Sequence, residues 1–267
     1  MNALVMGILN VTPDSFSDGG RYFDVEAAVA HGLAMAAAGA AIVDVGGEST
    51  RPRAEPVDEA EECRRVLPVV AALAGHVRVS IDTTKAGVAE AAVAAGASLV
   101  NDVSASLASV AAAAGAGWVA MHRQGSPMTM QVDPHYHDVV DEVRGFLVSH
   151  AERAAAAGVA EVWIDPGIGF GKTAAHNLSL LAGLPALVAT GWPVMVGTSR
   201  KSFLAPFSGP VRQEPGARHH GDDASLATAT YAMAHGVAMV RVHDVAAVVQ
   251  AATLVGPLQS GGSGEQP

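Results

Sequence analysis

A single cysteine, Cys63, stands among 267 residues, so no disulfide can form within the chain. It falls in a helix-like stretch, Asp58–Ala74, where a small packed thiol is the expected role rather than a nucleophile. Aromatic residues are scarce, at 4%. A core without them must be assembled from Ala, Val, Leu and Ile, which suits helices packed closely over a buried sheet. Only 16% of residues are charged and 50% are apolar, which argues against disorder and for a large core. Basic residues are few, 16 against 26 acidic ones, for a net charge of −10 with histidine neutral. That balance argues against a nucleic-acid partner, which needs a basic face to replace counterions. Long hydrophobic runs are missing too: Ala-rich windows such as Ala34–Ala41 break off well short of the ~20 residues of a membrane span. Met1 opens directly into a strand-like run, without a basic n-region or an apolar h-region. A soluble, cytoplasmic protein with no membrane partner is expected.

What is present is a regular alternation. Eight short, nearly continuous apolar runs recur: Leu4–Leu9, Ala41–Val45, Val77–Ile81, Ser98–Val100, Trp118–Met121, Val162–Ile164, Pro193–Val196 and Ala238–Val242. Each has the pattern of a strand buried on both faces. Between them lie helix-like segments: Val25–Ala38, Asp58–Ala74, Lys85–Ala95, Leu107–Ala114, Val139–Ala157, Ala175–Thr190, Asp223–His235 and Val245–Val255. Gly39, Gly96, Gly115, Gly158, Gly191 and Gly236 stand where helices should end. Eight even β-then-α units predict an α/β protein with a single (β/α)8 TIM barrel. No GxGxxG follows the first run, which disfavours an open dinucleotide-binding sheet. One domain over residues 1–257 is expected, with a flexible Gly/Ser-rich tail over 258–267.

In such barrels the C-terminal strand ends carry the chemistry. Here those ends bear Asn10, Asp44, Asp82, Asn101, Met121-His122, Asp165, Ser199-Arg200-Lys201-Ser202, and Arg241 with His243. One Asp at a strand end is often only a helix cap or loop anchor. Polar groups at consecutive ends of one barrel converge on one mouth. Acids and an amide (Asp82, Asn101, Asp165) occupy the middle strands, matching a flat heterocycle rich in N–H groups. Arg200, Lys201, Arg241 and His243 gather after the last two strands, where they suggest a phosphate-like anion. Arg200 has a solvated surface position as its alternative.

Several segments together resemble the dihydropteroate synthase family of pterin-binding barrels. They are Gly7–Gly20, Asp44–Pro52, Ser80–Thr83, Asn101–Ser104, Asp165–Thr173, Ser199–Phe203 and Arg241–Val245, in order from about Val5 to Val248. The resemblance implies an enzyme that joins 7,8-dihydropterin-6-ylmethyl diphosphate to p-aminobenzoate, releasing diphosphate and giving 7,8-dihydropteroate. It implies that Asp82, Asn101, Met121, Asp165 and Lys201 hold the pterin, with Asp82, Asp165, Lys201 and Arg241 as the catalytic set. Thr50, Arg241 and His243 would contact diphosphate, and Asn10 would ligate its Mg²⁺. Arg51, Pro52, Phe170 and Ser202 would form the p-aminobenzoate subsite, and the family implies a homodimer. The chain departs from the family at Ala105-Ser106, where two glycines are common, at Ala205, in the loose match of Met121–Pro127, and in the divergent loop Pro206–Asp222.

Other readings weigh less. Gly171-Lys172-Thr173 resembles the end of a P-loop, but Pro166 stands where its first Gly belongs. His135/His137 and His219/His220 lack further ligands at metal spacing and read as solvated loop residues. Trp118, Trp163 and Trp192 read as packing. A folate–corrinoid methyltransferase would share the central acids but has no need of Ser199–Ser202 and Arg241–His243. A non-catalytic pterin-binding paralogue would not need Asn10, Lys201, Arg241 and His243 together.

Overall fold

The structure, a computed structural model, describes residues 2–12, 24–49, 56–126, 128–208 and 221–259. Within them the chain alternates strand and helix: β1 (Leu4–Asn10), α1 (Val25–Ala37), β2 (Ile42–Gly46), α2 (Glu59–Leu73), β3 (Arg78–Asp82), α3 (Ala86–Ala94), β4 (Leu99–Asp102) and α4 (Ala108–Ala114). There follow β5 (Gly117–Met121), α5 (Val139–Ala156), β6 (Val162–Asp165), α6 (Ala174–Ala182), α7 (Leu184–Val188), β7 (Met195–Val196), a 3₁₀ helix (Ser202–Phe207), α8 (Asp222–Ala234), β8 (Met239–Val242) and α9 (Val245–Gln259). All neighbouring strands pair in parallel, in the order β6-β5-β4-β3-β2-β1-β8-β7. A parallel bridge between Ile164 and Val194 joins the two ends, so the sheet closes into the expected (β/α)8 barrel.

Local chemistry accounts for the joints. Asp24, Asp58, Asp138 and Thr173 cap α1, α2, α5 and α6 by accepting first-turn backbone N–H groups. The six glycines expected at helix ends all take positive φ, a conformation that costs a residue with a Cβ. The single helix expected over Ala175–Thr190 is two. Gly183 ends α6, and Pro185, which lacks an N–H, fits in the first turn of α7 but not in a helix interior. The 3₁₀ helix was not foreseen, because its short stretch around Pro206 carries no helical period.

Period-two alternation builds two cores. Val43, Val45, Val79, Ile81, Val100, Val240 and Val242 turn outward and pack into the layer beneath the helices. Met6, Ile42, Leu99, Val119, Trp163, Met195 and Met239 form a separate apolar plug inside the barrel. Burying each such side chain contributes about 1.5–3 kcal/mol, so the plug makes a firm floor. Two residues beyond Ile42, Leu99, Val119, Trp163 and Met239 come Asp44, Asn101, Met121, Asp165 and Arg241. The polar layer is therefore one inward step above the plug.

Candidate active site

Four strands meet in the deepest part of this layer. Arg241 donates from Nε to Asp44 Oδ2 at 2.6 Å and from Nη2 to Asp82 Oδ2 at 2.6 Å. Asn101 Nδ2 donates to the same Asp44 oxygen at 2.9 Å. Two buried carboxylates thus share one guanidinium. Burial pushes the Asp82 carboxyl up to about 7, against the pull of Arg241 and with the added push of the Asp44 charge. Burial also works against the charged form of Arg241, but Asp44 and Asp82 outweigh it and hold the guanidinium above its usual value. Asp44 Oδ1, Asp82 Oδ1 and Ser80 Oγ are buried and have no hydrogen-bond partner among the described residues. An unsatisfied buried polar group costs about 1–3 kcal/mol, so this floor calls for a ligand that brings its own donors.

A second group lies toward β6 and β7. Asp165 Oδ1 accepts the Gly167 N–H at 2.7 Å, and burial pushes this carboxyl up despite the nearby Lys201 charge. Lys201 Nζ donates to the Ile168 carbonyl and lies 4.7 Å from the centre of the Phe170 ring, within cation–π range. Burial pushes the Lys201 ammonium down to about 8, with Asp165 opposing. Ser199 Oγ lies 2.8 Å from His243 Nδ1 and accepts the His243 backbone N–H at 3.2 Å, which ties the ends of β7 and β8 together. A hollow of ≈ 250 Å³ opens between the segment after β6 and the 3₁₀ helix, lined by Gln131, Gly169, Lys172, Asn177, Ser202 and Phe203 among others.

The structure brings Asp82, Asn101 and Arg241 into direct or shared contact, and Lys201 onto Phe170. Met121, buried, pairs in register with Asp165, and Ser202 is exposed at the start of the 3₁₀ helix. Asn10 is half-buried at the end of β1. Thr50, Arg51 and Pro52 lie outside the described residues. Among the described residues nearest them in sequence, Glu48 accepts the Val57 N–H at 3.0 Å and the Lys85 ammonium at 2.5 Å, and Lys85 also reaches the buried Glu62.

Two expectations change. Arg241, grouped by sequence with an anion-binding cluster apart from the acids, is salt-bridged to two of them, because its long side chain reaches across the floor. Arg200 is not part of that cluster: it is exposed and pairs with Asp222 at 2.8 Å, the surface alternative already named. Asp102, beside Asn101 but facing outward, is a loop anchor that accepts the N–H groups of Ser104, Ser106 and Leu107 and the indole of Trp118.

Sequence reasoning assigned no role to Asp44 or to Lys172 and His122. An ionisable residue inside the apolar run Ile42–Val45 was a usable signal for the first. His122 stood at a strand end beside Met121, but its pairing with Lys172 had no signal, because the two meet only in three dimensions, at 2.9 Å. Burial pushes the Lys172 ammonium down to about 7, and burial together with the Lys172 charge takes His122 down to about 3.

Residues 6–243 match the pterin binding enzyme family. The chain is 51% identical to a dihydropteroate synthase of Mycobacterium leprae, over 94% of this chain and 92% of that one. Among solved structures, Xanthomonas albilineans dihydropteroate synthase with 4-aminobenzoic acid superposes with a TM-score of 0.86 at 45% identity, covering 99% of this chain and 94% of that one. The same organism's enzyme in complex with 7,8-dihydropteroate gives 0.83 at 42% identity, covering 99% and 95%.

Proposed function

The chain belongs to the dihydropteroate synthase family of pterin binding enzymes, and on that premise we propose that it is a transferase that condenses 7,8-dihydropterin-6-ylmethyl diphosphate with p-aminobenzoate, giving 7,8-dihydropteroate and diphosphate in folate biosynthesis. The observation that carries this reading is the barrel floor. Its buried acceptors on Asp44, Ser80 and Asp82 lack donors, and a pterin edge presents ring N–H and exocyclic NH₂ groups. Asp82, Asn101 and Asp165 read that edge, Met121 packs near it, and Lys201 donates from the opposite side.

The arylamine is neutral near pH 7 and already nucleophilic, so the site needs no strong base. The harder task is expelling diphosphate. The bond from the pterin methylene to the diphosphate oxygen breaks first, leaving a cation delocalised into the pterin. The amine nitrogen then attacks the methylene and releases a proton. The carboxylates of Asp82 and Asp165 favour that cation. Thr50, Arg241 and His243 hold the departing diphosphate, while Arg51, Pro52, Phe170 and Ser202 receive the arylamine.

Among the described residues no group of three or more His, Cys, Asp or Glu could hold a metal. Asn10, half-buried at the end of β1, offers an amide oxygen, a hard donor that suits Mg²⁺ and would hold it beside the diphosphate. Bound there, Mg²⁺ would stabilise charge on the leaving group. No helix among the described residues is long and apolar enough to cross a membrane. A homodimer belongs to the same reading, on the family's habit.

Purified protein given the pterin diphosphate, p-aminobenzoate and Mg²⁺ is expected to release diphosphate only when the arylamine is present. Release that ignores p-aminobenzoate, or none at all, overturns the assignment. Substituted anilines test the bond order: a rate insensitive to amine basicity supports early departure of diphosphate, and a steep dependence when chemistry limits refutes it.

A further inference from the structure

The segment joining β6 to α6 has an unusual property: each of five consecutive carbonyls, Gly167 to Gly171, receives a side-chain donor. Lys172 Nζ reaches Gly167 O and Phe170 O, both at 3.0 Å. Lys201 takes Ile168 O, Gln131 Nε2 takes Gly169 O at 2.6 Å, and Tyr136 Oη takes Gly171 O at 2.8 Å. The Gly169 N–H in turn donates to Asn177 Oδ1 at 2.7 Å. Lys172 is only 3% exposed, and it also faces His122 Nδ1 at 2.9 Å and His122 O at 3.3 Å. When Lys172 is charged its ammonium has only N–H donors to offer, so His122 Nδ1 then accepts and the ring proton sits on Nε2.

The other flank is fixed by close backbone packing. A Cβ on Gly167 would fall 1.9 Å from His122 O, and one on Gly171 would fall 2.3 Å from Gln124 O. Both glycines sit at φ +63, so neither the space nor the backbone accepts another residue. The segment is therefore pinned between the exit of β5 and the Lys172 ammonium. With Gly167 O and Phe170 O turned to Lys172, Ile168 O is left to accept Lys201, and the Phe170 ring is left beneath Lys201.

We infer that Lys172 is a positioning residue for the arylamine side of the site, aided by Gln131: together they set the backbone that aims Phe170 and Lys201. This rests on the reaction proposed above. Lys172 touches neither substrate on this view. Its removal displaces the surface against which the arylamine packs and leaves the floor around Asp44, Asp82 and Asn101 intact.

Two variants test it. Lys172→Met keeps the length of the side chain but has no donor, and Gln131→Ala changes an exposed residue. The KM for p-aminobenzoate is expected to rise by about 10–100-fold in Lys172→Met, the scale of a misplacement of about 1 Å. Pterin diphosphate affinity, followed by calorimetry, should fall by a clearly smaller factor, because only Lys201 among the pterin contacts rests on this segment while the floor acids do not. Gln131→Ala should shift the same KM in the same direction by less. Amide exchange at Gly169 should quicken in both variants. Equal losses for both substrates, or an unchanged arylamine KM, overturn the inference. If Lys172→Met shows no cooperative melt, Gln131→Ala decides alone, and its unchanged KM and exchange would refute the role. Exchange at Gly169 needs no turnover, so an inactive wild type sinks the proposed reaction, whereas unchanged exchange sinks this positioning role.

Discussion

The floor of the barrel and the segment above it at β6 treat polar atoms in opposite ways. On the floor, Asp44, Asp82 and Ser80 keep buried oxygens without donors, and two acids share the charge of Arg241. Along Gly167–Gly171 every carbonyl has a side-chain donor. The floor is electrostatically incomplete until something binds, while the segment is complete beforehand. Recognition energy is stored where donors are missing, and orientation is stored where none are.

The most forceful way to break this contrast is to remove the shared cation. Arg241→Met leaves two buried carboxylates unpaired and is expected to cost about 3–5 kcal/mol in urea unfolding. A loss below about 1 kcal/mol would show that the floor already has another source of charge compensation. A subtler change is Asp82→Asn. With its folded pKa raised to about 7, Asp82 binds a proton more readily in the folded state than in the unfolded chain. Its contribution to ligand-free stability is thus fully present below about pH 4 and is lost as pH rises through about 7. Thermal melts from pH 4 to pH 8 should show that decline in the parent and a flatter profile in Asp82→Asn. A parallel pair of profiles would remove Asp82 from the account.

The smallest effect lies outside both regions. Ala105 takes φ 54, a left-handed conformation that glycine adopts without strain. Ala105→Gly is expected to stabilise by about 0.5–1 kcal/mol in chemical unfolding, and destabilisation would mean that the methyl group's packing outweighs the strain. This is the departure from the family's double glycine noted in the sequence.

Much of the site was legible because a barrel strand end is a defined place. An Asp or Asn closing a β-branched run points to the mouth, and Asp82, Asn101 and Asp165 were found that way. Asp44 was visible as an acid within an apolar run, but its partners lie 57 and 197 residues away in sequence, and no local pattern records them. The Lys172–His122 pair was hidden for the same reason. The P-loop reading was rightly set aside at Pro166, yet nothing local said what the lysine does instead.

Local spacing and composition therefore determined the eight-fold β–α repeat, the glycine-ended helices and the strand-end inventory of donors and acceptors. These follow from periodicity, which acts between residues near in sequence. Only the closed barrel decided which charges meet: that Arg241 reaches two acids across the floor, that Arg200 turns to Asp222, and that Lys172 knots one connecting segment from beneath. Electrostatic pairing depends on distance through space and on burial, and both exist only once the strands close the ring.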